Sequence, residues 1–224
     1  MGYFTKAERL LWCGSVGAIL AAFLLFDGKG WLTLTASLIG VTSLIFNAKG
    51  NPVGQVLMVV FSLLYGVISW RAAYYGEMVT YLGMTMPMAV AALVSWLRHP
   101  FQGNRAEVQV DRLKKGEGWL LTLLTAAVTA AFFFILRALH TANLGWSTLS
   151  VTTSFAAVYL TARRNPWYAV AYAANDCVLI LLWLLAARGD PACFSVVVCF
   201  AAFLVNDLYG FLSWRRMGKR QELR

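Results

Sequence analysis

Residues 167–187 read WYAVAYAANDCVLILLWLLAA. One formal charge in so long an apolar run matches the roughly 20 residues that carry an α-helix across a hydrocarbon core about 30 Å thick. That charge, Asp176, follows Asn175 and lies about 14 Å into the run at ~1.5 Å per residue, close to a bilayer midplane. A carboxylate at such depth costs about 2.5–3.5 kcal/mol on insertion scales, so it should face a protein interior or a wet cavity. The dipeptide recurs as Asn206-Asp207 in a second apolar run, Ala192–Trp214. Both pairs are candidates for the lining of a small-molecule path.

The rest of the chain fits this reading. Of 224 residues 60% are hydrophobic and 13% charged, more apolar surface than a soluble domain of this length can bury. The net charge of +9 sits in short clusters between apolar runs, which argues for membrane topology and against a nucleic-acid partner. After Leu10–Phe26 no small-residue cleavage site is evident. The four cysteines lie inside apolar segments without paired spacing and read as small hydrophobes, so no metal or cofactor is expected.

Eight helices are predicted, over Leu10–Phe26, Trp31–Phe46, Val53–Tyr74, Met78–Leu97, Trp119–Leu139, Trp146–Ala162, Trp167–Ala187 and Ala192–Trp214. The second and sixth are short for a span. Period-two alternation is absent, so the class is an all-α integral membrane bundle and not a barrel. With eight spans, fifteen of the nineteen Lys and Arg fall on one side, leaving Lys29, Arg71, Arg137 and Arg188 on the other. The positive-inside rule then puts both termini in the cytoplasm; seven spans would lose the bias.

The hydrophilic stretch His99–Gly118 divides two halves that repeat. Asn51-Pro52 recurs as Asn165-Pro166 at an offset of 114, Trp70 with Gly76-Glu77 as Trp183 with Gly189-Asp190 at 113, and Ser95-Trp96 as Ser213-Trp214 at 118. Helices two to four thus match six to eight as parallel repeats about an axis along the membrane normal.

Tyr168, Tyr172, Asn175, Asp176 and Trp183 share one broad face of the seventh helix, where ring surfaces, an amide and a carboxylate suit a flat, hydroxylated or cationic solute. The plain alternative is hydrogen-bonded helix packing. On the eighth helix Asn206 and Tyr209 share a face with Phe203, while Asp207 points about 100° away and reads as a helix-pairing or gating group. Pro87 should interrupt the fourth helix and free a carbonyl, with Thr80, Tyr81 and Thr85 beside it. Gln55 and Tyr65 are weaker candidates for the pocket wall. Phe61-Ser62 stands where the second repeat has Asn175-Asp176, so the site should be lopsided. No Walker loop, metal spacing or nucleophile elbow occurs, and an enzyme is not expected; a membrane-embedded lipid-modifying enzyme using Asp176 and Asp207 is the alternative from another class.

Tyr74-Tyr75-Gly76-Glu77-Met78, Tyr81-Leu82-Gly83-Met84-Thr85, Asn165-Pro166-Trp167-Tyr168, the stretch Tyr172–Trp183 and Asn206-Asp207-Leu208-Tyr209-Gly210 together resemble the PnuC-type nicotinamide riboside transporters, over roughly residues 30–216. The resemblance implies a three-plus-one-plus-three arrangement similar to the SWEET sugar transporters, assembled as a homotrimer in the cytoplasmic membrane among its lipids. It gives an N-terminal helix over 1–30, a first repeat over 31–98, a loop and linker helix over 99–145, a second repeat over 146–216 and a basic tail over 217–224. It also implies facilitated diffusion of nicotinamide riboside, an NAD precursor, by alternating access, with trapping by cytosolic phosphorylation. On that model the pyridinium stacks on Trp167, Tyr172 or Trp183. Asn175, Asp176 and Asn206 bind ribose hydroxyls or the carboxamide, and Pro87 is a hinge. Family tryptophans are replaced here by Tyr168 and Ala171, which leaves thiamine, riboflavin or a deoxynucleoside as alternative solutes.

Overall fold

A computed structural model describes residues 3–71 and 75–223. Eight helices follow the apolar runs. They are α1 (Lys6–Asp27), α2 (Trp31–Ala48), α3 (Val53–Arg71), α4 (Tyr75–Arg98), α5 (Glu117–Ala138), α6 (Leu144–Ala162), α7 (Tyr168–Ala187) and α8 (Phe194–Glu222). The expected end of α3 at Tyr74 lies outside the described residues. α1 starts at Lys6, before the expected Leu10, because Thr5 and Glu8 form a capping box: each backbone N–H donates to the other's side chain, at 2.7 and 3.2 Å.

Among the described residues, seven helices are long and apolar enough to cross a membrane. The exception is α6, whose 19 residues still reach about 28 Å. Its apolarity is diluted by serines and threonines, but Thr148, Thr152 and Thr161 each donate to the carbonyl four residues back, at 2.8–2.9 Å, which lowers the cost of placing them among helices. The molecule is a multi-pass α-helical membrane protein.

The fourth helix is interrupted where Pro87 predicts. Proline lacks an N–H and crowds the carbonyl four residues back, and the helix widens into a π turn over Tyr81–Thr85. The Met86 N–H reaches Tyr81 O, and the Thr85 hydroxyl donates to Thr80 O at 3.3 Å.

Packing runs α2–α3–α4–α6–α7–α8 and back to α2, a closed ring of two three-helix sets. α1 lies on α2 and α8, and α5 lies on α6 and the start of α4, so each set carries one flanking helix. Rings from α3, α4, α7 and α8 fill the centre, with Tyr65 4.5 Å from Tyr81, 6.3 Å from Trp183 and 6.1 Å from Phe200.

The two sets repeat one local geometry at the end of the bundle that carries both termini, here called the basic end. Gly50 (φ 64°) and Arg164 (φ 56°) both take the left-handed conformation that ends a helix. The Asn51 and Asn165 side chains then accept from the N–H groups of Val53 and Trp167, at 2.9 and 3.0 Å. Each set bonds across to the other. The Trp96 indole donates to Thr161 O at 2.9 Å and the Trp214 indole to Asn47 O at 2.7 Å, with the two ring centroids 5.3 Å apart. The third anchor, Trp70 with Trp183, does not hold in space: Trp70 is exposed and Trp183 buried.

Residues 99–118 were expected to be loop. They contain a hairpin, β1 (Pro100–Phe101) and β2 (Asn104–Val108), turned at Gln102-Gly103, both with positive φ. The Val108 N–H donates to Gly50 O at 2.9 Å and the Asp111 N–H to Arg164 O at 3.0 Å, so this segment ties the matching corners together. It also holds the residues expected as a basic tail in helix through Glu222, through Gln221 to Glu107 and Val108 and through Arg112 to Glu222.

Candidate functional site

At the end opposite the basic end, a cleft of about 480 Å³ opens between the start of α4, the α5–α6 corner and the end of α7, lined by Tyr75, Glu77, Thr141, Asn143, Ser147 and Trp183 among others. Gly76 allows this mouth: a Cβ there would collide with Thr141 and Leu136. A gap of about 20 Å³ continues inward between Glu77, Thr80, Tyr81, Ser150 and Ser154. Beyond it lies Asn175, 5% exposed, whose Oδ1 accepts from Ser150 at 3.1 Å and Thr153 at 2.9 Å. Thr153 also donates to Leu149 O and Ser150 O, so its hydroxyl does not depend on Asn175.

One turn of ring and carboxyl groups continues toward the basic end. Asp176 and Asp207 are both buried, and their carboxyl groups lie within hydrogen-bonding reach of one another. Asp176 Oδ2 meets no donor among the described residues. Two carboxyl groups in contact repel when both are charged, so a proton or a cation must lie between them. Tyr172 sits beside this pair, its hydroxyl bonded to Thr161. Tyr168 packs edge-on against Trp214 with centroids 5.0 Å apart and donates to Asn47 O at 3.4 Å. The Trp96–Trp214 contact closes the path here.

The structure thus brings Asn175, Asp176, Tyr172, Tyr168 and Trp183 onto one lining, with Thr85 buried behind the π turn. It separates others. Trp167 precedes α7, is 58% exposed and rests on Phe211 at 5.2 Å on the outside of the bundle. Gln55 donates to Asn47 Oδ1 at 2.9 Å, at the basic end. The Tyr209 hydroxyl donates to Glu8, which also holds Lys49, both at 3.2 Å. The roles expected for the second dipeptide are exchanged. Asn206 donates to Ser15 Oγ of α1 and to Ala202 O, both at 2.8 Å, and so binds helices together, while Asp207 meets Asp176. A rotation of α8 about its axis separates the two outcomes, and apolar flanks on every side leave that rotation undetermined.

Two contributors had no clear sequence signal. Ser150 and Thr153 sit in a helix rich in hydroxyls on all faces. Glu77 stood only inside a motif, although its match in the second repeat, Asp190, does something simpler: it caps Ala192 N–H at 3.0 Å.

Outside the membrane segments, Arg163 bonds Glu117, and those bonds push its pKa up; burial pulls that of Arg164 down, and Asp111 compensates with a 3.0 Å ion pair. Arg164 is the one buried basic side chain among the described residues.

Comparison with known proteins places this architecture. A family model described as nicotinamide mononucleotide transporter matches residues 30–216. A relative from Neisseria mucosa named nicotinamide riboside transporter PnuC is 24% identical over 223 residues, 98% of this chain and 84% of the relative. One of the same name from Haemophilus influenzae is 23% identical over 191 residues, 85% of this chain and 81% of the relative. A crystal structure of the vitamin B3 transporter PnuC shares the fold with a TM-score of 0.85 at 22% identity, across 99% of this chain and 95% of that one.

Proposed function

The chain belongs to the nicotinamide mononucleotide transporter family, whose members are membrane transporters and not enzymes, and we propose that its own solute is nicotinamide riboside. One observation carries the choice of riboside over mononucleotide. The path presents Asn175, aromatic rings and the Asp176–Asp207 pair, and the one buried basic residue, Arg164, is held by Asp111 at the basic end. A phosphate dianion entering such a lining would lose its hydration without a cation to replace it. A pyridinium on a ribose meets rings that attract its charge and an amide and carboxyls that accept its hydroxyl protons.

In this reading Asn175 and Asp176 bind ribose hydroxyls or the carboxamide, Trp183 and Tyr172 flank the ring, and Tyr168, Thr85 and Asp207 shape the inner wall. Trp167, Gln55, Asn206 and Tyr209 serve the frame instead. The π turn before Pro87 is the hinge for alternating access, since a widened turn is a local defect that absorbs bending. The movement is facilitated diffusion, and phosphorylation in the cytosol retains the solute for NAD synthesis. The basic end faces the cytoplasm across the cytoplasmic membrane, with both termini there, because fifteen of nineteen Lys and Arg gather on that side. The subunit division is 1–30, 31–98, 99–145, 146–216 and 217–224. The assembly is a homotrimer in lipid, which native mass spectrometry of the detergent-solubilised protein tests directly.

Counterflow into proteoliposomes decides the solute. Labelled nicotinamide riboside should exchange against unlabelled riboside and not against its mononucleotide, thiamine or riboflavin. Exchange with the mononucleotide at comparable concentration would overturn the assignment.

A further inference from the structure

We infer that Glu77 is a specificity-determining residue: its carboxylate in the mouth cleft selects the positively charged pyridinium over uncharged nucleosides of the same shape. Glu77 lines both the 480 Å³ cleft and the narrow gap beyond it, the one acidic side chain shared by the two. Every solute passing from the mouth to Asn175 passes it. Gly76 lets the first turn of α4 lie against the α5–α6 corner, and that approach sets the carboxylate in the cleft wall beside Trp183.

Glu77 Oε2 is shielded from solvent and meets no hydrogen-bond donor among the described residues, and no ion pair involves Glu77 among them. The matching Asp190 shows what an acidic residue at this point of a repeat does when it is structural, for it caps a helix start and is exposed. Glu77 has no such task, and a carboxylate stripped of water without a partner is held in place at a cost that a passing cation relieves. Facing it are the neutral groups Thr80, Tyr81, Ser147 and Trp183, with His140 at the rim. An attraction of this kind acts on charge alone and not on ribose or carboxamide.

The inference rests on the proposed solute, and its test separates the two. Wild type, Glu77→Gln and Glu77→Asp are reconstituted, and labelled nicotinamide riboside counterflow is inhibited with unlabelled riboside or with its reduced dihydropyridine form, which is uncharged. The half-inhibiting concentrations give a ratio of preference for the cation. Glu77→Gln should lower that ratio about tenfold and Glu77→Asp should keep most of it. An unchanged ratio, or equal weakening toward both forms, overturns the role of Glu77 while leaving the solute assignment standing. Wild-type vesicles that exchange no nicotinamide riboside overturn both.

Discussion

The basic end and the middle of this bundle are built from the same kinds of residue and use them differently. At the basic end two indoles, two asparagines and two left-handed corners form a matched set, each indole bonded to the carbonyl of the opposite half. In the middle and at the mouth the halves diverge. Asp176 Oδ2, Glu77 Oε2 and Asn206 Oδ1 meet no donor among the described residues, and the polar groups come mostly from α6, α7 and the start of α4. Buried polar atoms left unmatched cost stability in a protein that only folds, and they persist where something else binds them for part of a cycle. The symmetric end therefore reads as the frame and gate, and the asymmetric middle as the path.

That contrast can be broken most severely at the frame. Trp214→Ala removes a fully buried ring together with its bond to Asn47 O, and should cost about 3–5 kcal/mol in thermal unfolding of the detergent-solubilised protein. A melting temperature within a degree or two of wild type would mean that the matched end is not what holds the halves together. The pair also offers a sharper test: Trp96→Phe and Trp214→Phe should be non-additive, because their rings touch.

In the path the expectation is inverted. Asn175→Leu should reduce nicotinamide riboside exchange by roughly 10–100-fold, a loss of about 1.4–2.7 kcal/mol in transport efficiency. It should leave the melting temperature close to wild type, since Thr153 keeps backbone acceptors. Unfolding in step with lost transport would return Asn175 to helix packing.

Smaller effects separate buried from exposed charge. Asp111→Asn strips the partner from Arg164, whose guanidinium pKa burial already pulls down, and should cost on the order of 1–2 kcal/mol as read by thermal unfolding. Arg112→Ala should move the same measurement by less than about 0.5 kcal/mol, because it and Glu222 are both largely exposed.

Most of the fold was legible in the chain. A helix across a bilayer needs a long apolar run, and the runs around Ser62, Pro87 and Asp176 are unmistakable even where a polar residue interrupts them. The Asn-Pro corners and paired tryptophans were legible because their geometry is local, set by a side chain bonding two residues ahead. The sixth helix was harder, since its hydroxyls dilute its apolarity while bonding its own carbonyls.

The amino-acid sequence by itself determined the eight spans, the side on which basic residues gather, the two matching halves and the depth of the Asn-Asp pairs. Each follows from composition along a line and from the low polarity of the bilayer. Only the tertiary structure decided which side chains meet: Asp207 and not Asn206 turned toward Asp176, Trp167 turned out to Phe211, and Glu77 set in the mouth. In water a polar face marks how a helix is rotated. Here lipid and protein core are both apolar, so hydropathy leaves the rotation about each helix axis free, and packing against neighbours sets it.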